Sequence, residues 1–439
     1  MGSVEKSGLA PSDGTAAGGG IHITVSRRWL PVIAVLVLAP WVLLVWTIAW
    51  PPHDRPATGP APAADGLPPG GAAPASGQSP LEAKPGPWGN VEYIPITIAP
   101  PSEFLQELSP TTLNNAWHFP GVTLEQVKAY FQQLELTEEQ RSRLLARLAP
   151  NPEANGCVLK PEPEVVNALG PDVRRRLYRT LSGSSLNTDQ VNAFRIPKAE
   201  FEQRLAALSG LSLDKDLLRT LAYEEGSYRF FADLPLVLPQ VPQLEDRVLL
   251  LKTLAQQTTF LARLRVKEDS GISDLENYWG RGGRTKDIGP LLESLAKIPS
   301  GQTIDVMHLL PGFARRRVYT YLRPSGAANA PSYDCHWTSL NFFNDQPDDR
   351  FLDKQVVKQT LETDYYPIFG NLLLGDLVLL VSERNSLIHS AVYIADDFVF
   401  TKNGGRHASP WMFMRIEDMK AFYPRDETVT VAYARRKDL

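Results

Sequence analysis

The sequence is poor in the residues from which most chemical centres are built. Its 439 residues include two cysteines, Cys157 and Cys335, and seven histidines. Two cysteines cannot make a disulfide framework, and a Cys157–Cys335 bridge, open to a chain outside the cytoplasm, would consume the thiol that carries the clearest chemical signal. The histidines are scattered, with no pair at helical or zinc-finger spacing, so neither a metal nor a cofactor is expected. A formal charge of −4 and a pI near 6.0 supply no basic face, which excludes a nucleic-acid partner. The run Trp279-Gly280-Arg281-Gly282-Gly283-Arg284 lacks the Lys-Ser/Thr ending of a phosphate-binding loop and follows no clear strand, so it reads as a loop.

What the chain does have starts with an uncharged apolar run, Trp29 to Trp50. At 1.5 Å per residue it is long enough to cross a hydrocarbon core of about 30 Å. Arg27-Arg28 precede it, which orients residues 1–28 inward as a cytoplasmic tail and everything after Trp50 outward. A cleaved signal peptide is the competing reading, but Pro51-Pro52 stands where small cleavage-site residues belong. The expectation is a single-pass anchor at 29–50 in a bacterial inner membrane, with the bulk of the chain extracytoplasmic or periplasmic. Pro51 to Asn90 is Pro, Ala and Gly with almost no bulky apolar residue, so 51–100 reads as a flexible linker.

Residues 101–325 read as a mostly helical region. Thr123 with Gln126 and Thr137 with Gln140 have capping-box spacing, each before apolar residues at helical intervals. Further helices are expected at Lys198 to Leu208, Lys215 to Tyr223, Leu244 to Leu264 and Ile288 to Lys297. Val165 to Leu181 also aligns without gaps with Val306 to Leu322, sharing an Arg-Arg-Arg triplet, a Tyr two residues beyond it and a closing Leu. Duplication of a helical unit and chance similarity of two basic helices both account for one such match. Glu224-Glu225 has the residue type of a glycan-cleaving acid, yet reads as a solvated helix end stopped by Gly226.

The chemistry concentrates at the C-terminal end. Asp334 is placed to cap a helix whose first turn carries Cys335, where unpaired N–H groups favour a thiolate and an adjoining oxyanion. Gly375-Asp376 opens an apolar strand, as a tight start and its cap, and His389 opens another. Ser390 to Ile394 and Phe398 to Lys402 read as a hairpin. A three-residue loop, Ala395 to Asp397, sets His389 opposite Asn403 with Thr401 on the same face; a two-residue turn sets Lys402 and Gly404 there instead. The expected set is Cys335 as nucleophile, His389 as base and Asn403 as the group that orients the imidazole. His336 and His407 read as bystanders.

From Tyr333 to Tyr433 the order Asp-Cys on a helix, Gly-Asp on a strand and His on a hairpin resembles the NlpC/P60 superfamily of papain-like cysteine peptidases and amidases. The resemblance implies a papain-like α+β domain over 326–439 that hydrolyses an amide bond, with peptidoglycan peptides as the substrate class. His336 and Trp337 replace the small residues usual after the nucleophile, and the family's third polar position, about twelve past the histidine, falls on Thr401. An inactive papain-like module binding peptidoglycan or an envelope protein, and a Cys-His acyltransferase, are the alternatives.

Overall fold

The computed structural model describes residues 80–105, 115–323, 331, 333–405, 408–423 and 428–439. The run expected to be a membrane span, Trp29 to Trp50, lies outside them, as does most of the linker. Among the described residues no helix is long and apolar enough to cross a membrane. The single-pass anchor, and the inner-membrane and periplasmic placement that followed from it, are therefore not supported. The chain divides into two compact units, one containing 108–250 and the other 20–107 with 251–439.

A short segment at the start of the described chain belongs to the second unit: β1 (Leu81–Glu82), β2 (Asn90–Ile98) and the single turn α1 (Ser102–Leu105). Both strands fall within the expected linker.

The first unit is not a helical bundle but two copies of one α/β plan. The first copy runs β3 (Trp117–Pro120), α2 (Leu124–Gln133), α3 (Glu138–Ala146), β4 (Leu148–Asn151), β5 (Gly156–Leu159), α4 (Pro163–Asn167) and α5 (Pro171–Leu181). Both capping boxes form, at Thr123 with Gln126 and at Thr137 with Gln140. After the turn α6 (Thr188–Val191) the second copy repeats the order as β6 (Phe194–Pro197), α7 (Lys198–Ala207), α8 (Lys215–Leu221), β7 (Tyr223–Glu225), β8 (Tyr228–Phe231), α9 (Leu234–Val237) and α10 (Leu244–Ala255). The sheets have the same topology, β3-β5-β4 and β6-β8-β7: the first strand pairs with the second arm of the later hairpin. Glu224 and Glu225 lie in β7 rather than at a helix end, ion-paired with Lys198 and Arg229 and with Arg179 respectively.

The second unit contains a third copy: β9 (Gln257–Val266), α11 (Ile272–Trp279), α12 (Thr285–Ala296), β10 (Gln302–Asp305), a 3-10 turn at Val306–Leu309 and α13 (Gly312–Arg315). The long helix expected at Leu244 to Leu264 thus ends at Ala255, and its second half is β9, whose residues alternate between buried and more accessible positions along most of its length. Three local signatures tie the copies together. The sequence Leu-Leu-x-x-Leu-Ala begins at Leu144, Leu217 and Leu291, at the end of the second helix each time. An arginine in the first turn of the last helix donates its backbone N–H to the residue four before it: Arg174 to Gly170 at 2.9 Å, Arg247 to Gln243 at 3.0 Å and Arg315 to Pro311 at 2.9 Å. In the first two copies the same guanidinium also reaches the carbonyl five residues back, Leu169 and Pro242. The pairing of Val165–Leu181 with Val306–Leu322 is therefore the first copy set against the third.

Beyond the third copy come α14 (Cys335–Leu340), α15 (Lys354–Asp364), β11 (Tyr365–Ile368), β12 (Leu377–Ser382), β13 (Leu387–Ala395), β14 (Phe398–Lys402), β15 (Trp411–Arg415), α16 (Ile416–Phe422) and β16 (Val429–Arg436). Their six strands form one antiparallel sheet in the order β11-β16-β12-β13-β14-β15. The cross-strand row Leu377, Val392, Phe400, Phe413 shares a face. That face buries against the third copy: Phe260 of β9 meets Phe398 at 5.3 Å and Phe413 at 6.0 Å between ring centroids. Two buried hydroxyls fix the register of the layers, Thr259 donating to the Phe413 carbonyl at 2.7 Å and Tyr278 to that of Ile394 at 2.6 Å. The glycine-rich loop packs into this body. Gly282 and Gly375 both take positive φ against the Phe343 ring, where a Cβ would collide. Asp376 accepts two hydrogen bonds from Arg435, at 2.8 and 2.7 Å, and one from the Leu373 N–H at 2.7 Å.

The fold is therefore mixed α/β throughout, rather than a helical region followed by an α+β domain. The reason sequence periodicity overstated the helices is length: β3, β5, β6 and β8 have four residues each, too few for a period of two to stand out beside capped helices.

Candidate functional site

Cys335 opens α14, as expected, and Asp334 is its N-cap. The carboxylate accepts from the His336 N–H at 2.9 Å and the Trp337 N–H at 3.0 Å. Those are two of the N–H groups the first turn leaves without an intrahelical acceptor, and that of Cys335 itself is another. The thiol is 5% exposed. Burial, and then the Asp334 charge, push its pKa well up, while backbone hydrogen bonds from Ser390, His336 and Cys335 itself act the other way. The expected activation by the helix terminus is thus outweighed, and at neutral pH the resting group is a thiol.

His389 sits near the start of β13 and is fully buried. Its Nε2 lies 2.8 Å from Thr401 Oγ1. The hairpin explains this contact. Two residues, Asp396 and Asp397, separate Ala395 from Phe398, with Asp396 at φ +50°. A bulge between Tyr393 and Ala395 then restores the register that a three-residue loop would give, Val392 opposite Phe400. Continued down the strands, that register sets His389 level with Asn403 and one diagonal step from Thr401 on the same face. The imidazole takes the diagonal partner. Asn403 is engaged elsewhere, its Nδ2 donating to Met414 Sδ at 3.4 Å and its Oδ1 accepting from the Tyr423 hydroxyl at 3.4 Å. Tyr423, just past α16, stacks on His389 with 4.6 Å between ring centroids.

Cys335 bonds the residue that follows His389, Ser390, whose backbone N–H reaches the thiol. The Ser390 hydroxyl donates to the Cys335 carbonyl at 3.4 Å, lies 2.8 Å from His336 Nδ1 and 2.7 Å from Ser339 Oγ. The Ser339 hydroxyl has one proton to give and is the donor available for the 2.7 Å contact with Ser390; the His336 carbonyl lies farther off, at 3.3 Å. Burial lowers the His336 pKa, and its Nε2 has no hydrogen-bond partner among the described residues. Trp337 is anchored by Asp349 at 3.0 Å and Thr338 by Trp411 at 3.0 Å, which fixes the rest of α14 on the sheet. His407 lies outside the described residues. Among those residues no group of three or more His, Cys, Asp or Glu side chains could hold a metal ion.

Sequence reasoning did not single out Ser390 or Tyr423. Ser390 had a signal: a small polar residue on the apolar face of a buried strand, beside the histidine. Tyr423 had none, because it reaches the site through tertiary packing. No protein-family model matches the chain, and neither the curated proteins nor the solved structures contain a match.

Proposed function

We propose that the second unit is a cysteine hydrolase that cleaves an amide bond, in the manner of the NlpC/P60 enzymes that residues 333–433 resemble. The observation that carries this reading is the 2.8 Å contact of His389 Nε2 with Thr401. With the Thr401 hydroxyl as acceptor, the neutral ring holds its proton on Nε2 and presents the Nδ1 lone pair for the thiol. His389 then takes the Cys335 proton, the sulfur attacks the amide carbon, and the Cys335 N–H receives the developing oxyanion. Return of that proton to nitrogen releases the amine, and water activated by the same imidazole hydrolyses the thioester.

One observation favours a second reading, an inactive binding module: Cys335 and His389 are both buried, and the thiol pKa is high. Two measurements separate the readings. Iodoacetamide labelling of the full chain, followed residue by residue by mass spectrometry, should modify Cys335. Assays on peptide amides, beginning with the cell-wall stem peptides that the resemblance implies, should show turnover that Cys335→Ala removes. An unreactive Cys335 together with no turnover would leave the binding module.

A further inference from the structure

Two dipeptides meet at the site, Cys335-His336 and His389-Ser390, and in each of them one residue is proposed for the chemistry and the other is not. The two remaining residues are hydrogen-bonded to each other, His336 Nδ1 to Ser390 Oγ at 2.8 Å. We infer that Ser390 and His336 are positioning residues, a clamp that sets the height of Cys335 against the strand carrying His389. This inference rests on the hydrolase reading.

The contacts of two adjacent residues supply the first argument. On β13 the His389 ring is held by Thr401 and Tyr423, and neither contact bears on α14. Ser390, the next residue, holds the helix through His336 Nδ1, Ser339 Oγ and, at the longest distance, the Cys335 carbonyl. Energetics supply the second. Ser390, Ser339 and His336 are all buried, and an apolar set of the same volume would fill the space without the cost of removing three polar groups from water. The His336 Nε2 is left without a partner. A stabilising core has no need of that arrangement, whereas directional bonds hold a six-residue helix in one rotation and height, where apolar contacts let it slide. Sub-ångström placement of reacting groups is where such a constraint matters, since a shift of about 1 Å can cost about a hundredfold in rate.

The test measures the second-order rate of iodoacetamide alkylation at Cys335 in the full chain at pH 7, with Cys157 read in the same spectra as the control for unfolding. Ser390→Ala should slow alkylation about tenfold or more, while His336→Asn, which keeps a donor near the place of Nδ1, should retain a rate within about threefold of the parent and His336→Phe should not. A merely structural brace predicts the opposite direction, because its loss would loosen the site and speed access to the thiol. Alkylation that is equal or faster in Ser390→Ala and His336→Phe overturns the clamp and leaves the hydrolase reading standing. If Ser390→Ala unfolds, signalled by rapid Cys157 labelling, the two His336 variants decide. A parent Cys335 that does not react overturns the clamp, and the hydrolase reading falls with it only where turnover is absent as well.

Discussion

The first and third copies of the repeated plan share their order of elements and the arginine at the start of the last helix, yet end in different roles. In the first copy the opening strand, β3, has four residues and lies at the edge of a three-stranded sheet. Trp117 at its start turns inward to meet Tyr178 of α5 at 6.0 Å, so the copy closes on itself. In the third copy the opening strand, β9, has ten residues, and its free edge is taken by β2. There Phe260 faces outward from the copy into the six-stranded sheet. The hairpin arm corresponding to β4 is missing, and a turn closed by Gly301 N–H to the Ile298 carbonyl at 2.8 Å stands in its place. A longer strand, a different aromatic contact and the loss of one hairpin arm thus separate a self-contained layer from the floor beneath a candidate active site.

The comparison is sharpest at the two cysteines, since each copy's neighbourhood holds one buried thiol. Cys157 on β5 donates to the Val122 carbonyl at 3.2 Å, and burial raises its pKa; no histidine faces it across the β3 and β4 pairings. Cys335→Ala should abolish turnover, and Cys157→Ala should leave kcat within about twofold at a stability cost of about 1 kcal/mol. Equal loss from both would erase the distinction. Next in size is the orientation of His389: Thr401→Val should lower kcat about 10- to 100-fold with little change in KM, and Asn403→Ala should change it by less than about threefold. Loss in Asn403→Ala alone would restore the set expected from the sequence.

Core truncation should separate the copies as well. Phe260→Ala and Trp117→Ala each remove a buried aromatic and should each cost about 3 to 5 kcal/mol, read by denaturant unfolding. Turnover per folded molecule should fall only for Phe260→Ala, because only β9 supports the sheet of His389. The smallest effect concerns pH. Asp233 in the first unit, buried beside Tyr178 and Arg174, is pushed up to about 6 by desolvation. The fold therefore binds its proton more tightly than the unfolded chain, and this contribution to stability fades as pH rises from 3.8 through about 6. His336 in the second unit is displaced downward from 6.5 by burial, so its contribution is present above 6.5 and is lost as pH falls from there. Between pH 7 and 5 the first unit should gain stability from its term while the second loses from its own. Asp233→Asn should flatten the first slope and His336→Asn the second.

Legibility in the sequence followed the range of the interactions. Capping boxes involve residues three apart, and both formed where Thr123 and Thr137 predict them. Cys335 on the first turn of a helix was equally local. The hairpin was readable in register but not in mechanism, because a bulge rather than a longer loop sets Val392 opposite Phe400. Which residue the His389 ring reaches depended on side-chain direction, and strand pairing alone pointed to the level neighbour. The repeat was visible only as one pair of segments, because the intervening copy carries Arg247-Val248-Leu249 where the others have three arginines. The mixed α/β character was hidden by strand brevity. The anchor rested on the length and hydropathy of one run and on its flanking residues, and no helix among the described residues supplies one.

The two hydroxyls that pin β9 and α11 to the six-stranded sheet, Thr259 and Tyr278, also decide how this protein can be divided. A cut at residue 326, where sequence reading set the border of a C-terminal domain, would strip the sheet of its partner layer. Phe398, Phe400 and Phe413, all fully buried, would then face water as one aromatic patch, the kind of surface through which partly folded chains aggregate. A piece retaining Cys335 must therefore keep the third copy and β2, and with β2 the Trp88 ring that packs on Tyr278 and Tyr393.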